Sequence, residues 1–123
     1  MRQFKKILLS VPLVLMLLTG VALAATSSAY LYSWQGSSTG SPIYYETGRV
    51  DMYGKVNSGF DMEVATMKVK EWAPDEKIAY RVVYPESPLH ITVTLPSREN
   101  MYYVKLTQVG SWDANGEGYI QHK

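Results

Sequence analysis

Leu89, Ile91, Val93 and Leu95 alternate with His90, Thr92 and Thr94, and this strict period of two does most to limit what the chain can build. Successive side chains of an extended strand point to opposite faces, so such a run buries one face and leaves the other in water. The pattern recurs. Tyr30, Tyr32 and Trp34 alternate with Leu31 and Ser33; Val50, Met52, Gly54 and Val56 line one face of another run; Ile78, Tyr80, Val82 and Tyr84 line a third. Ile43 to Tyr45, Met101 to Val109 and Tyr119-Ile120-Gln121 are also extended in pattern. Between Met62-Val64 and Met67-Val69 the apolar phase slips, which predicts a bulge near Thr66.

Turn-forming residues separate these runs: Asn57-Ser58-Gly59, Trp72-Ala73-Pro74-Asp75-Glu76, Pro85 to Pro88 and Pro96 to Asn100. Asn115-Gly116 predicts a hairpin turn, since a type I′ turn needs positive φ at both central residues. Outside the N-terminus no segment keeps a helical period. The expectation is an all-β fold, a single antiparallel β-sandwich of Ig-like or jelly-roll-like type with about seven or eight short strands. A small barrel is the alternative. Residues 25–42 are expected to form an N-terminal strand and a Gly/Ser-rich loop, and residues 43–123 the core of the sandwich.

The N-terminus has a different pattern. Arg2, Lys5 and Lys6 precede an almost wholly apolar run from Ile7 to Leu18, and Ala22-Leu23-Ala24 supplies small residues for a signal peptidase. Residues 1–24 are therefore expected to be a helical secretory signal peptide cleaved after Ala24. An uncleaved anchor is the alternative, since Ile7 to Ala24 just reaches the length of about 17–25 residues that spans a bilayer. The break at Thr19-Gly20 argues for cleavage. Leu95-Pro96-Ser97-Arg98 resembles a sortase signal only superficially, because no apolar tail follows it.

The leader holds three basic residues, so the chain's net charge of +1 becomes −2 without it. That balance gives no basic surface for nucleic acid or an anionic membrane. The chain has no cysteine; an exported domain of this size without disulfides points to a bacterial source and a core held by packing alone.

Few residues suggest reaction chemistry. His90 and His122 are far apart and lack the convergent partners of a zinc site. Ser111, in Gly110-Ser111-Trp112, lacks the second glycine of a nucleophile elbow. Asp61 and Glu63, with Asp51 across a turn, have the spacing of a carboxylate pair, which a charged solvated strand face explains equally well. Asp113, Asn115 and Glu117 alternate before glycines as in the first half of a calcium loop, a weak candidate metal site that the hairpin turn also accounts for. No catalytic residue and no cofactor are assigned.

The tryptophans carry the strongest suggestion of binding. Trp34, Trp72 and Trp112 all sit beside expected loops, and Tyr102 lies in the tyrosine-rich run Met101-Tyr102-Tyr103-Val104. Such rings stack on sugars or bury into partners, so these four are the candidate contact residues. The expected function is that of a small secreted, non-enzymatic binding or structural domain at the cell envelope or in the medium, with a cell-wall polymer, glycan or surface protein as partner. The membrane is engaged only during export. A secreted antimicrobial or toxin-like effector is the alternative, though no cationic amphipathic helix supports it.

Overall fold

The computed structural model describes residues 26–45, 48–96 and 100–123. The expected leader and its cleavage site lie outside the described residues. Among those residues the chain forms strands and no helix: β1 (Thr26–Leu31), β2 (Ser37–Thr39), β3 (Ile43–Tyr45), β4 (Arg49–Ser58), β5 (Met62–Lys68), β6 (Glu76–Val83), β7 (Leu89–Thr94), β8 (Asn100–Gln108) and β9 (Asn115–His122). They make two separate antiparallel sheets, not a barrel. The first has the order β1-β9-β4-β7; the second has β2-β8-β5-β6, with β3 also on β8. The pairings are nested in sequence: β5 with β6, β4 with β7, β2 and β3 with β8, and β1 with β9.

Period-two patterning places the core. Val50, Met52 and Val56 from β4 face Met62 and Val64 from β5 and Tyr102, Val104 and Leu106 from β8, all buried. Thr66 is buried with them, and its Oγ1 reaches Met52 Sδ at 3.3 Å. The expected slip in β5 is present as a register shift between Thr66 and Met67 against β6.

Three expectations are corrected. The first strand ends at Leu31, which leaves Trp34 in the turn that follows. Residues 37–39, read as loop, pair with β8 instead. Gly40 N continues that ladder to Val104 O at 2.9 Å, and Val104 N donates to Ser27 Oγ of β1, so β1 closes the gap between β2 and β3. Asn115-Gly116 is not the hairpin turn. Both residues are paired within β9, and positive φ in the preceding connection falls to Gly110 and Trp112. Gly116 is required for space, since a Cβ there would lie 2.6 Å from Met62 Sδ.

The same requirement extends along the inner face. Gly54 of β4 and Gly118 of β9 are direct cross-strand partners. A Cβ on Gly54 would lie 2.9 Å from Val83 Cγ2, and one on Gly118 2.8 Å from Leu106 Cδ2. The first sheet is thus bare where Val64, Val83 and Leu106 of the second press against it.

Tyr45 is the largest wholly buried side chain beside Tyr102, and its hydroxyl donates to Ile120 O at 3.2 Å. Burial pushes its pKa up to about 12, against a smaller opposing effect of the Ser27 N–H. Tyr103 is also raised to about 12, by burial first and then by donating to Asp75 Oδ2 at 2.6 Å.

Two outcomes follow. Gly54→Ala and Gly118→Ala overpack the core and should each cost about 1–3 kcal/mol in urea unfolding, whereas Gly48→Ala, with nothing near its Cβ position, should leave the midpoint almost unchanged. The folded state holds the Tyr45 and Tyr103 protons more tightly than the unfolded chain, where tyrosine ionises near 10. Their contribution is therefore complete below pH 10 and is lost as pH rises through about 12. Urea midpoints measured from pH 9 to 12 should fall over that window, and Tyr45→Phe should flatten the fall.

Candidate functional site

Four connections meet at one end of the two sheets: residues 32–36 after β1, 59–61 after β4, 84–88 after β6 and 109–114 after β8. The β5–β8 register places them together, with Met62 opposite Gln108 at this end and Lys68 opposite Tyr102 at the other. These loops expose Tyr32, Trp34, Phe60, Tyr84 and Trp112. They also carry Asp61, Glu86 and Asp113 but no Lys or Arg. The result is an aromatic end with acidic groups among the rings.

The buried Gln108 and the part-exposed Asp113 and Asn115 hold these loops in place. Gln108 Nε2 donates to Tyr32 O (3.1 Å) and Ala114 O (3.0 Å), and its Oε1 accepts from Ala114 N (3.0 Å). Gln108 N donates to Gly36 O and Trp34 N to Trp112 O, at 3.0 and 2.7 Å. Asp113 Oδ1 accepts from Phe60 N (3.1 Å) and Ser111 Oγ (3.2 Å), which ties the β8–β9 loop to the β4–β5 loop. Asn115 completes the set, accepting from Ser33 N and donating to Ser58 Oγ, each at 3.0 Å. Rings mounted on such a frame lose little further freedom when they meet a partner.

All three tryptophans have left-handed backbone: Trp34 at φ 68°, Trp72 at 64° and Trp112 at 64°. For a bulky L-residue this conformation costs about 1–2 kcal/mol, and strain of this kind gathers at functional sites. Trp34 is 75% exposed and Trp72 100% exposed, so core packing is not what places their rings. The Trp112 indole is only half exposed and lies over Gly36, where a Cβ would meet its Cη2 at 3.1 Å.

The structure separates the four expected contact residues. Trp34 and Trp112 come together. Trp72 stands at the opposite end, on the β5–β6 hairpin. There Asp75 Oδ2 accepts from Tyr103 and Oδ1 from Lys70 N at 3.1 Å, bonds that lower the Asp75 carboxyl from its ordinary pKa, the Tyr103 bond most. Tyr102 is corrected outright: it faces inward on β8, fully buried 6.1 Å from the Tyr45 ring, and offers no surface. Phe60 follows Gly59 and Tyr84 precedes Pro85; aromatic residues next to turn-formers were the signal that would have found them.

The remaining candidates disperse. Asp113 and Asn115 oxygens serve the loop frame, and Glu117 Oε1 accepts from Asn57 Nδ2 at 3.2 Å. No three His, Asp or Glu side chains converge on a common point among the described residues. Glu63 pairs with Lys77 at 2.8 Å on the second sheet, whereas Asp51 lies on the first beside Lys123 (3.3 Å) and His90 (3.9 Å). The expected turn at Asn57-Ser58-Gly59 is corrected, since Asn57 and Ser58 still belong to β4. The connection at 59–61 crosses between the sheets, so Asp51 and Glu63 occupy opposite faces and share no cleft.

The outer face of the first sheet carries a second aromatic group. Tyr53 stacks on Tyr119 with centroids 5.0 Å apart, and His90 meets Tyr53 edge-on at 6.3 Å. Tyr30 contacts Tyr32 at 4.7 Å and so joins this face to the aromatic end.

Comparison of the chain with protein-family models, with curated proteins and with solved structures finds no match.

Replacing Trp34 by glycine separates strain from packing. Gly adopts the left-handed region without a steric penalty, so Trp34→Gly should leave the thermal midpoint equal to or above that of the parent. A marked loss of stability would show that the indole supports the fold.

Proposed function

We propose that the protein is an exported, non-enzymatic binding domain of the bacterial envelope or medium that engages its partner through the aromatic end. The observation that carries this reading is the grouping of Tyr32, Trp34, Phe60, Tyr84 and Trp112 on four loops, with two of the tryptophans held in strained backbone on a hydrogen-bonded frame. Aromatic anchors are the residues that dominate binding energy at interfaces. The acidic groups among them, without any Lys or Arg, favour a neutral or cationic envelope polymer or surface protein over an anionic one. Export rests on the leader at residues 1–24.

The nested pairing supports assigning the sandwich to the jelly-roll type, with β2 and β3 counted as one interrupted strand. Lectin domains are among those built this way, although architecture alone assigns no function.

Sedimentation of the purified protein with bacterial cell walls tests the proposal. Retention is expected, with Trp34→Ala and Trp112→Ala each lowering affinity about tenfold or more, a loss of about 1.4 kcal/mol. Trp72→Ala, at the opposite end, should bind as the parent does. Equal binding by all three variants, or no retention at all, would remove the proposal.

A further inference from the structure

The first sheet has a shallow open depression of about 420 Å³ on its outer face, lined by Ser28, Ala29, Tyr30, Glu117, Gly118 and Tyr119. The β1–β9 register sets Ser28 opposite Tyr119 and Tyr30 opposite Glu117. Ala29 and Gly118, paired between them, turn inward and leave a floor of backbone. Two tyrosine rings therefore flank a space with a carboxylate and a hydroxyl at its base.

Both flanks are fixed before any ligand arrives. Tyr119 is stacked on Tyr53. The Tyr30 hydroxyl accepts from Asn57 Nδ2 at 3.2 Å, and the same amide group donates to Glu117 Oε1 at 3.2 Å. Asn57 thus joins one ring to the carboxylate across the sheet surface, acting as a positioning residue. Preorganised groups of this kind lower the entropy cost of binding.

The chemistry fits a sugar ring. A pyranose presents apolar C–H faces and a rim of hydroxyls; tyrosine rings take the former, and the carboxylate accepts hydrogen bonds from the latter. The volume lies in the range of about 300–1,000 Å³ usual for small-molecule sites. Because the depression is open, a sugar in it can belong to a longer chain. Glu117 is the one carboxylate among the lining residues, and its charge opposes uronates and other acidic sugars.

We propose that this depression is a saccharide subsite for a neutral pyranose unit of a glycan chain, with Tyr30 and Tyr119 against the ring and Glu117 and Ser28 bonding its hydroxyls. It uses different residues from the aromatic end and goes beyond the binding role assigned to that end.

Titration of the ¹⁵N-labelled protein with cellotriose, maltotriose, chitotriose and trigalacturonate, followed by NMR at millimolar ligand, tests this. At least one neutral trisaccharide should give saturable shifts centred on Ser28, Tyr30, Asn57, Glu117 and Tyr119, with trigalacturonate binding more weakly. Tyr30→Ala, at an exposed position, should weaken that binding about tenfold. Glu117→Gln should weaken it less and narrow the gap to trigalacturonate, while Trp34→Ala should leave the titration unchanged. The subsite is overturned if no neutral trisaccharide shifts these residues, if trigalacturonate binds best, if Tyr30→Ala binds as the parent does, or if the shifts centre on the aromatic end. Loss of cell-wall retention in Trp34→Ala with these titrations intact, or the reverse, tells the two surfaces apart.

Discussion

The two sheets of this protein press together over inner-face positions that have no side chain. Gly54 and Gly118 face each other across β4 and β9, and Gly116 lies one pair further along the same face. Val64, Val83, Leu106 and Met62 of the second sheet occupy the space these glycines leave. Packing in a protein interior is as dense as in an organic crystal, so a methyl group added here has nowhere to go. With no disulfide available, the fold rests on this interlocking of bare and bulky faces. Alternation along the strands is what delivers each to its side.

Close packing at the middle of the sandwich has a consequence at its end. Four loops converge there, and their backbone groups cannot all pair within the strands. Gln108, Asp113 and Asn115 take up those donors and acceptors, linking loops far apart in sequence. Around the buried Gln108 these cross-links leave the loops fewer conformations to adopt. This rigidity sustains the left-handed backbone of Trp34 and Trp112, and it leaves aromatic rings facing water instead of the core. The same alternation that buries Met52 and Ile120 puts Tyr53, Tyr119 and Glu117 in a row on the outer face.

Much of this was legible in the chain. The period-two runs at 50–56, 78–84 and 89–95 correspond to β4, β6 and β7, and the phase slip near Thr66 marks a true irregularity. Misreadings came where a residue had two physical uses. Asn115-Gly116 has the composition of a tight turn, yet Gly116 serves a close approach to Met62 that only the facing sheet reveals. Residues 37–39 have the polarity of a loop, yet β8 supplies partners for their backbone. Tyr102 and Tyr103 are adjacent and alike in sequence; register alone buries the first and turns the second outward.

By itself the sequence determined the strand class, the inward faces of β4 and β7, and the presence of tryptophans beside turns, because these depend on local periodicity and turn chemistry. On β6 the aromatic face of Tyr80 and Tyr84 lies outward, and Val83 of the other face is buried. Only the tertiary structure decided which sheet each strand joined, and therefore that Trp34 and Trp112 meet while Trp72 is carried to the far end. It also decided that Asp51 and Glu63 lie on opposite faces, and that Asn57 comes within hydrogen-bond reach of both Tyr30 and Glu117. The reason is that pairing between strands far apart in sequence is set by which faces fit together across the core, and no short stretch of chain encodes that fit.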